Sequence, residues 1–478
     1  MNRQPRIRLV TVLLIAHLFT LALWLTKTAL AAQIDGPRAP VPKYVFLFLA
    51  DGGSIAQMEI TRQYNRTIHN EGLVISDKIM KEGSLGLITT DAANSLSTDS
   101  AAAATALAGG CKANIGALGM CANGTIPKTV GEIAKAKNMR VGLVTTSTVY
   151  DASPAAFVCH VPNRRNFAAI LNRYLEFAPD LLLGGGRDQF LAKSQAGSRR
   201  NDETDLLNAF KQKGYLYVST KQELEHAQRS KVLGLFSPGE MSFEIDRDKK
   251  TEPSLYDMTQ AAIRLLYNNN SNGFFVFIEN ENVDTAAHLS DIASLIRDYR
   301  EFDRAVGLAY DFYRKHPRET LIIVTSDHET GGVSFTLALK DLSSTKSSNQ
   351  VAGTTEDLKK IDSISISLRK AMEILGANPT PAAIDRLMSE YFSGFTMAPE
   401  FKEAILKHQP LSRTLFLEPT AQALGMMIAN NTQAYWLTSA HTNYPVFVTA
   451  IGPGSEKFKG YLDNTDFGKR LKAILDHR

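Results

Sequence analysis

Cysteine is scarce: Cys111, Cys121 and Cys159 are the only three in 478 residues, and no Cys-x-x-Cys occurs. That excludes a disulfide framework, a cysteine-rich metal site and a dithiol redox motif. A surplus of one charge is also missing from the body of the chain. Arg3, Arg6, Arg8 and Lys27 carry the whole formal charge of +4, which leaves the residues beyond 31 neutral. A near-neutral body gives no argument for nucleic acid or a polybasic membrane surface, so no nucleic acid is expected as a specific partner. No internal repeat is evident. The N-terminal apolar run spans Val10 to Leu25, interrupted by Thr11, His17 and Thr20, and leads into Ala29-Leu30-Ala31. After its basic start, this reads as a signal peptide over residues 1–31, cleaved near Ala31 or Ala32. The run is long for a signal and short for a span, so an uncleaved anchor is the alternative, and only then is a membrane a partner. Either way the body lies outside the cytoplasm. Export permits one disulfide, for which Cys111 and Cys121 are the local candidates, leaving Cys159 as a buried thiol.

What is present is core material, with 44% of residues hydrophobic. Tyr44 to Ala50 is a continuous apolar run of strand length, the mark of a parallel strand covered on both faces. Leu85–Thr90, Val141–Thr145, Asp180–Leu183, Gly273–Ile278, Leu321–Thr325 and Val446–Ile451 read as further strands. Helical patterns over Thr129–Lys137, Tyr256–Leu266, Ile292–Tyr313 and Thr420–Ile428 alternate with them. This alternation predicts an α/β fold, doubly wound, with a mostly parallel central sheet and helices on both faces. Residues 190–250 are polar and helical in tendency, a surface excursion without visible chemistry. Over 339–410 the pattern breaks: Ser343–Thr355 is loop-like, and helical stretches follow over Ile364–Leu375, Pro381–Phe392 and Pro399–His408. This predicts a helical insertion in one domain spanning 32–478.

Acids and histidines gather where strands end. Asp51-Gly52-Gly53 follows the first strand, at the edge where open α/β sheets take ligands. Asp327-His328 follows the strand ending at Thr325, and His441 precedes the last strand. Asp284 and His288 are spaced i, i+4 and share a helix face. Thr98-Asp99-Ser100 opens an alanine run, which places the Ser100 hydroxyl at a helix N-terminus, where negative charge is favoured. Taken singly, each has a plain alternative: a turn aspartate, a surface ion pair, or an N-capped alanine-rich packing helix. Jointly they point to a metal site. Oxygen and imidazole ligands without cysteine suit catalytic zinc, and all-oxygen sets suit magnesium.

Seven stretches, in order, resemble those of the alkaline phosphatase family: Asp51-Gly52-Gly53; Thr98 to Thr105; Asp151-Ala152-Ser153-Pro154-Ala155-Ala156; His160 to Arg164; Glu279-x4-Asp284-x3-His288; Asp327-His328; and His441-Thr442. The resemblance implies an alkaline-phosphatase-like fold with two Zn2+ and one Mg2+ per chain. Asp284, His288 and His441 would hold the first zinc, and Asp51, Asp327 and His328 the second, beside Ser100. Asp51, Ser153 and Glu279 would hold magnesium, with Asp151 nearby or bound through water. It further implies that Ser100 attacks phosphorus to give a phosphoserine, which zinc-activated water hydrolyses. Arg164, oriented by Asp99, would clamp two phosphate oxygens of a small phosphate monoester. A homodimer is the family default, and the match at Asp151 to bacterial relatives favours a periplasmic or secreted enzyme.

Four residues depart from the family pattern. Thr285 stands where many relatives carry Lys or His, Asn280-Glu281 replaces a usual glycine pair, and Pro162 precedes Asn163-Arg164. The competing expectations are a phosphodiesterase or sulfatase of the same superfamily, and a non-catalytic protein that keeps the fold to bind metal or phosphate.

Overall fold

The computed structural model describes residues 41–339 and 350–476. The expected signal segment 1–31 and positions 343–349 of the Ser/Thr-rich loop lie outside the described residues. Ten strands form the main sheet: β1 (Tyr44–Ala50), β2 (Ser84–Ile88), β3 (Arg140–Thr148), β4 (Leu181–Gly185), β5 (Leu216–Val218), β6 (Val232–Leu235), β7 (Phe274–Asn280), β8 (Thr320–Thr325), β9 (Val446–Ile451) and β10 (Gly460–Leu462). Their spatial order is β10-β2-β9-β8-β1-β7-β3-β4-β6-β5. All neighbours pair in parallel except β9, which runs against both β8 and β2.

The apolar runs have a direct cause in this arrangement. Every residue of β1 is buried. Tyr44, Phe46 and Phe48 enter one core with the helices Leu255–Tyr267 and Ile292–Lys315. Val45, Leu47 and Leu49 enter the other with the helices Ser100–Gly109, Val130–Ala136 and Asn464–Asp476. A strand between two helical layers has no face for polar residues, and burying each large apolar side chain contributes about 1.5–3 kcal/mol.

The stretch 190–250 differs from the expectation. It is more than a surface excursion, because β5 and β6 extend the sheet beyond β4, with Leu181 opposite Val232 and Val232 opposite Leu216. Strands this short are too brief for their periodicity to show between polar helical flanks. After the undescribed segment come helices Thr355–Asp362, Leu368–Leu375, Pro381–Tyr391 and Pro399–Lys407. Pro381 and Pro399 occupy first turns, where the missing N–H costs nothing. Cys111 and Cys121 are bridged, and Cys159 is free and buried. No described helix is long and apolar enough to cross a membrane.

Candidate active site

Four adjacent strands, β8, β1, β7 and β3, end at one edge, and each delivers acidic or imidazole groups there. Asp51 directly follows β1, Glu279 is the penultimate residue of β7, and Asp327-His328 follow β8. After β3 the chain turns into the short helix Ala152–Ala156, with Asp151 at its N-cap and Ser153 inside it. Because β9 runs the other way, the segment leading into it starts at this same edge. There His441-Thr442 pairs with Glu329-Thr330. The helix Asn282–His288 follows β7 and sets Asp284 and His288 one turn apart.

The predicted groups converge. His288 Nε2 lies 3.1 Å from Asp284 Oδ2 and 3.1 Å from His441 Nε2, and His441 Nε2 lies 3.8 Å from the same Asp284 oxygen. His328 Nε2 lies 3.2 Å from Asp327 Oδ2, 3.5 Å from Asp51 Oδ1 and 3.3 Å from Ser100 Oγ. His328 also reaches the first group, because its ring stacks on His441 at 3.6 Å. Ser153 Oγ donates to Asp51 Oδ2 at 3.4 Å. Gly52 makes the close approach possible. Its φ is +65°, and a Cβ there would collide with Asp284 Oδ1 and stand 2.9 Å from the Asp284 Cα.

Ser100 starts the helix Ser100–Gly109, capped by Asp99, whose Oδ1 accepts from the Ala102 N–H at 3.0 Å. The other Asp99 oxygen lies 3.3 Å from Arg164 Nη1, while Arg164 Nη2 reaches Asp151 Oδ1 at 3.0 Å. The guanidinium is therefore held between two carboxylates from different segments. At the departures, the Thr285 hydroxyl donates to Glu281 Oε1 at 2.6 Å, and Asn280 Oδ1 accepts from Thr146 Oγ1 at 2.9 Å.

The electrostatics of this edge are lopsided. Burial and the facing charges of Asp327, Asp284 and Glu279 push the Asp51 carboxyl well above its ordinary range. Burial and Asp151 do the same to Glu279, and Asp327 is pushed up to about 7 by burial and Asp284. Burial opposes charge on His288, yet Asp284 beside it carries that imidazole up to about 9. Burial and the charge of His441 hold His328 well below its usual value, in the neutral form that offers a lone pair. Asp51 Oδ1, Glu279 Oε1 and Asp327 Oδ2 are buried without a hydrogen-bond donor. Buried carboxylate oxygens left without donors are costly unless a cation balances them. Carboxylates and imidazoles converging without thiolate are the donor set of catalytic divalent ions, so the residues present fit such ions.

Several supporting groups escaped the sequence reading. Thr145 Oγ1 donates to Glu279 Oε2 at 2.6 Å, and Thr330 Oγ1 donates to Asp284 Oδ1. The carbonyls of Ser439 and Thr98 face His288 Nδ1 and His441 Nδ1 at 2.7 and 2.8 Å, which aims both Nε2 atoms inward. Threonines and backbone carbonyls carry no spacing signal by which a sequence could single them out.

The sequence family described as alkaline phosphatase matches residues 42–477. Alkaline phosphatase 4 of Bacillus subtilis (strain 168) is 34% identical over 390 residues, which cover 79% of this chain and 76% of that protein. The alkaline phosphatase of Schizosaccharomyces pombe is 29% identical over 451 residues, covering 91% of this chain and 81% of its own. Among solved structures, Thermus thermophilus alkaline phosphatase superposes with a TM-score of 0.81 at 28% identity, covering 92% of each chain. The cold-active alkaline phosphatase from a psychrophilic Shewanella sp. gives 0.73 at 29%, covering 90% of this chain and 99% of its own. The chain belongs to the alkaline phosphatase family, whose members are phosphate monoester hydrolases.

Proposed function

We propose that this chain is an exported enzyme that hydrolyses small phosphate monoesters through a phosphoserine at Ser100, with two Zn2+ and one Mg2+ as resident ions. Asp284, His288 and His441 would hold one zinc and Asp51, Asp327 and His328 the other. Asp51, Ser153 and Glu279 would hold the magnesium, with Asp151 beside them. Such ions supply Lewis-acid charge that lowers hydroxyl pKa values and offsets the charge of phosphate.

The chain's own residues supply position. Ser100 Oγ sits at the N-terminus of a ten-residue helix, where free N–H groups and the dipole favour an anion. In the reaction its oxygen bonds to phosphorus as the alcohol oxygen leaves, and water then cleaves that bond to release inorganic phosphate. Arg164, held by Asp99 and Asp151, presents a planar fork suited to two phosphate oxygens. The observation that carries this reading is the set of buried, donorless carboxylates, two of which flank the same His328 Nε2 that lies 3.3 Å from Ser100 Oγ. Export is supported by the N-terminal segment and by the Cys111–Cys121 bridge, since disulfides persist outside a reducing cytoplasm. Assembly as a homodimer follows the family default.

The test is Ser100→Ala in the metal-loaded enzyme. Monoester hydrolysis is expected to fall by about 10³-fold or more with metal content unchanged. Retained activity with the ions bound would sink the mechanism. Faster hydrolysis of diesters than of monoesters by the unmodified enzyme would move it to a diesterase reading.

A further inference from the structure

The guanidinium of Arg164 is held by carboxylates, but its backbone is held by a segment with no part in the chemistry. The Arg164 N–H donates to Gly116 O at 2.8 Å, and Val161 and Leu118 exchange both backbone bonds at 2.9 Å each. The Gly116 N–H donates at 3.1 Å to Asp99 Oδ2, the oxygen that also faces Arg164 Nη1. Thr105, on the Ser100 helix, completes the tie: its hydroxyl donates to Ala117 O at 3.1 Å and accepts from the Gly119 N–H at 2.8 Å. Gly116, Ala117, Leu118 and Gly119 all lie in the loop closed by the Cys111–Cys121 bridge.

Besides Thr105 and Asp99, the His160 side chain fastens this loop to the body of the protein. His160 Nδ1 is 2.6 Å from Gly119 O, and its Nε2 is 2.9 Å from Glu132 Oε1. A carbonyl and a carboxylate only accept, so both ring nitrogens donate and the imidazole is a cation. Glu132 is itself anchored, accepting from the Thr129 N–H at 3.0 Å at the start of the helix Val130–Ala136. The His160 side chain is shielded from water, 9% exposed, and Glu132 is 25% exposed. His160 stands four residues before Arg164 and grips the same loop that receives the Arg164 backbone.

We propose that His160 and the disulfide-closed loop 112–120 are positioning elements for Arg164, setting where its guanidinium stands relative to Ser100. This rests on the reading of Arg164 as the phosphate clamp. Placement matters because a shift of about 1 Å at a positioning group can cost ~100-fold.

The experiment measures the Ki of inorganic phosphate, with KM and kcat for a monoester, on the full metal-loaded chain. Variants are His160→Ala, His160→Asn, Arg164→Ala, the His160→Ala/Arg164→Ala double, and Cys111→Ser/Cys121→Ser with and without Arg164→Ala. His160→Ala is expected to raise Ki and KM by about tenfold with a smaller loss in kcat, below the ~100-fold bound for a misplaced group. His160→Asn, whose amide nitrogen takes the place of Nδ1 toward Gly119 O, recovers most of the affinity. Loss of the disulfide moves Ki in the same direction. Arg164→Ala raises Ki and masks both effects, because positioning has nothing left to position. Unchanged Ki in His160→Ala and in the disulfide variant, or effects that multiply with Arg164→Ala, overturn the proposal while leaving the clamp intact. Unchanged Ki in Arg164→Ala removes the clamp and the proposal together. If His160→Ala does not fold, the disulfide variant, alone and combined with Arg164→Ala, carries the same cycle.

Discussion

The two halves of the site are built on different principles. Asp51, Glu279, Asp327 and His328 leave the ends of adjacent strands, where the register sets Leu49 opposite both Glu279 and Thr325. Moving one of them relative to another requires shearing a sheet covered on both faces. Asp99, Ser100 and Arg164 instead ride on a helix start and on loops, and cross-links hold them: the Cys111–Cys121 bridge, the His160–Glu132 pair and the Leu118–Val161 bonds. The sheet edge can therefore pack like charges that no flexible segment would hold together. If Arg164 clamps phosphate as proposed, changes in the loop half are expected to register in phosphate affinity.

The largest effect should come from emptying the sheet half. Chelation is expected to abolish monoester hydrolysis and to lower stability by about 3 kcal/mol or more, the linkage contribution of a ligand at 100 times its dissociation constant. Thermal unfolding with and without chelator, and recovery on adding Zn2+ and Mg2+, check this. A transition that does not move would mean that the buried acids are balanced by protein groups alone.

Next is Gly52→Ala. A Cβ there meets Asp284 in a left-handed backbone conformation, so the substitution is expected to displace Asp284 and lower kcat/KM by about 100-fold. Metal content should fall with it, whereas changes in the loop half should leave metal content intact. Metal analysis beside kinetics separates the two.

A further effect, on stability alone, concerns a buried acid outside the site. Asp303 accepts the N–H groups of Val74 and Ile75 at 2.9 and 2.8 Å, and burial raises it to about 7. Its folded value lies above its unfolded one, so between about pH 4 and 7 the folded state holds more protons and stability falls as pH rises, by at most about 1.4 kcal/mol per pH unit. Asp303→Asn should flatten that slope in denaturant titrations run across the window. An unchanged slope would assign the pH dependence to the site carboxylates instead.

Much of this was legible before the fold was known, and for local reasons. The run Tyr44–Ala50 announces a strand without a polar face, and it is buried throughout. Asp51 and Asp327 are recognisable because a carboxylate within two residues of the end of such a run stands at a sheet edge. Asp284 and His288 are recognisable because four residues make about one helical turn. What stayed hidden lacks a periodic or chemical mark. β5 and β6 are short, Thr145 and Thr330 are ordinary threonines, and His160 carries no sign that Glu132 and Gly119 flank its ring.

By itself, the sequence determined the long buried strands, the amphipathic helices and which acids and histidines stand at strand ends, because hydrophobic period, capping and residue type are properties of neighbours along the chain. Only the tertiary structure decided that positions 51, 151, 279 and 327 meet, because the order β8-β1-β7-β3 joins segments far apart in the chain through pairings that no local pattern encodes. It also decided the direction of β9, and with it the arrival of His441 at the same edge. The packing of two cores against opposite faces of one sheet sets that geometry, and it exists only once the sheet has formed.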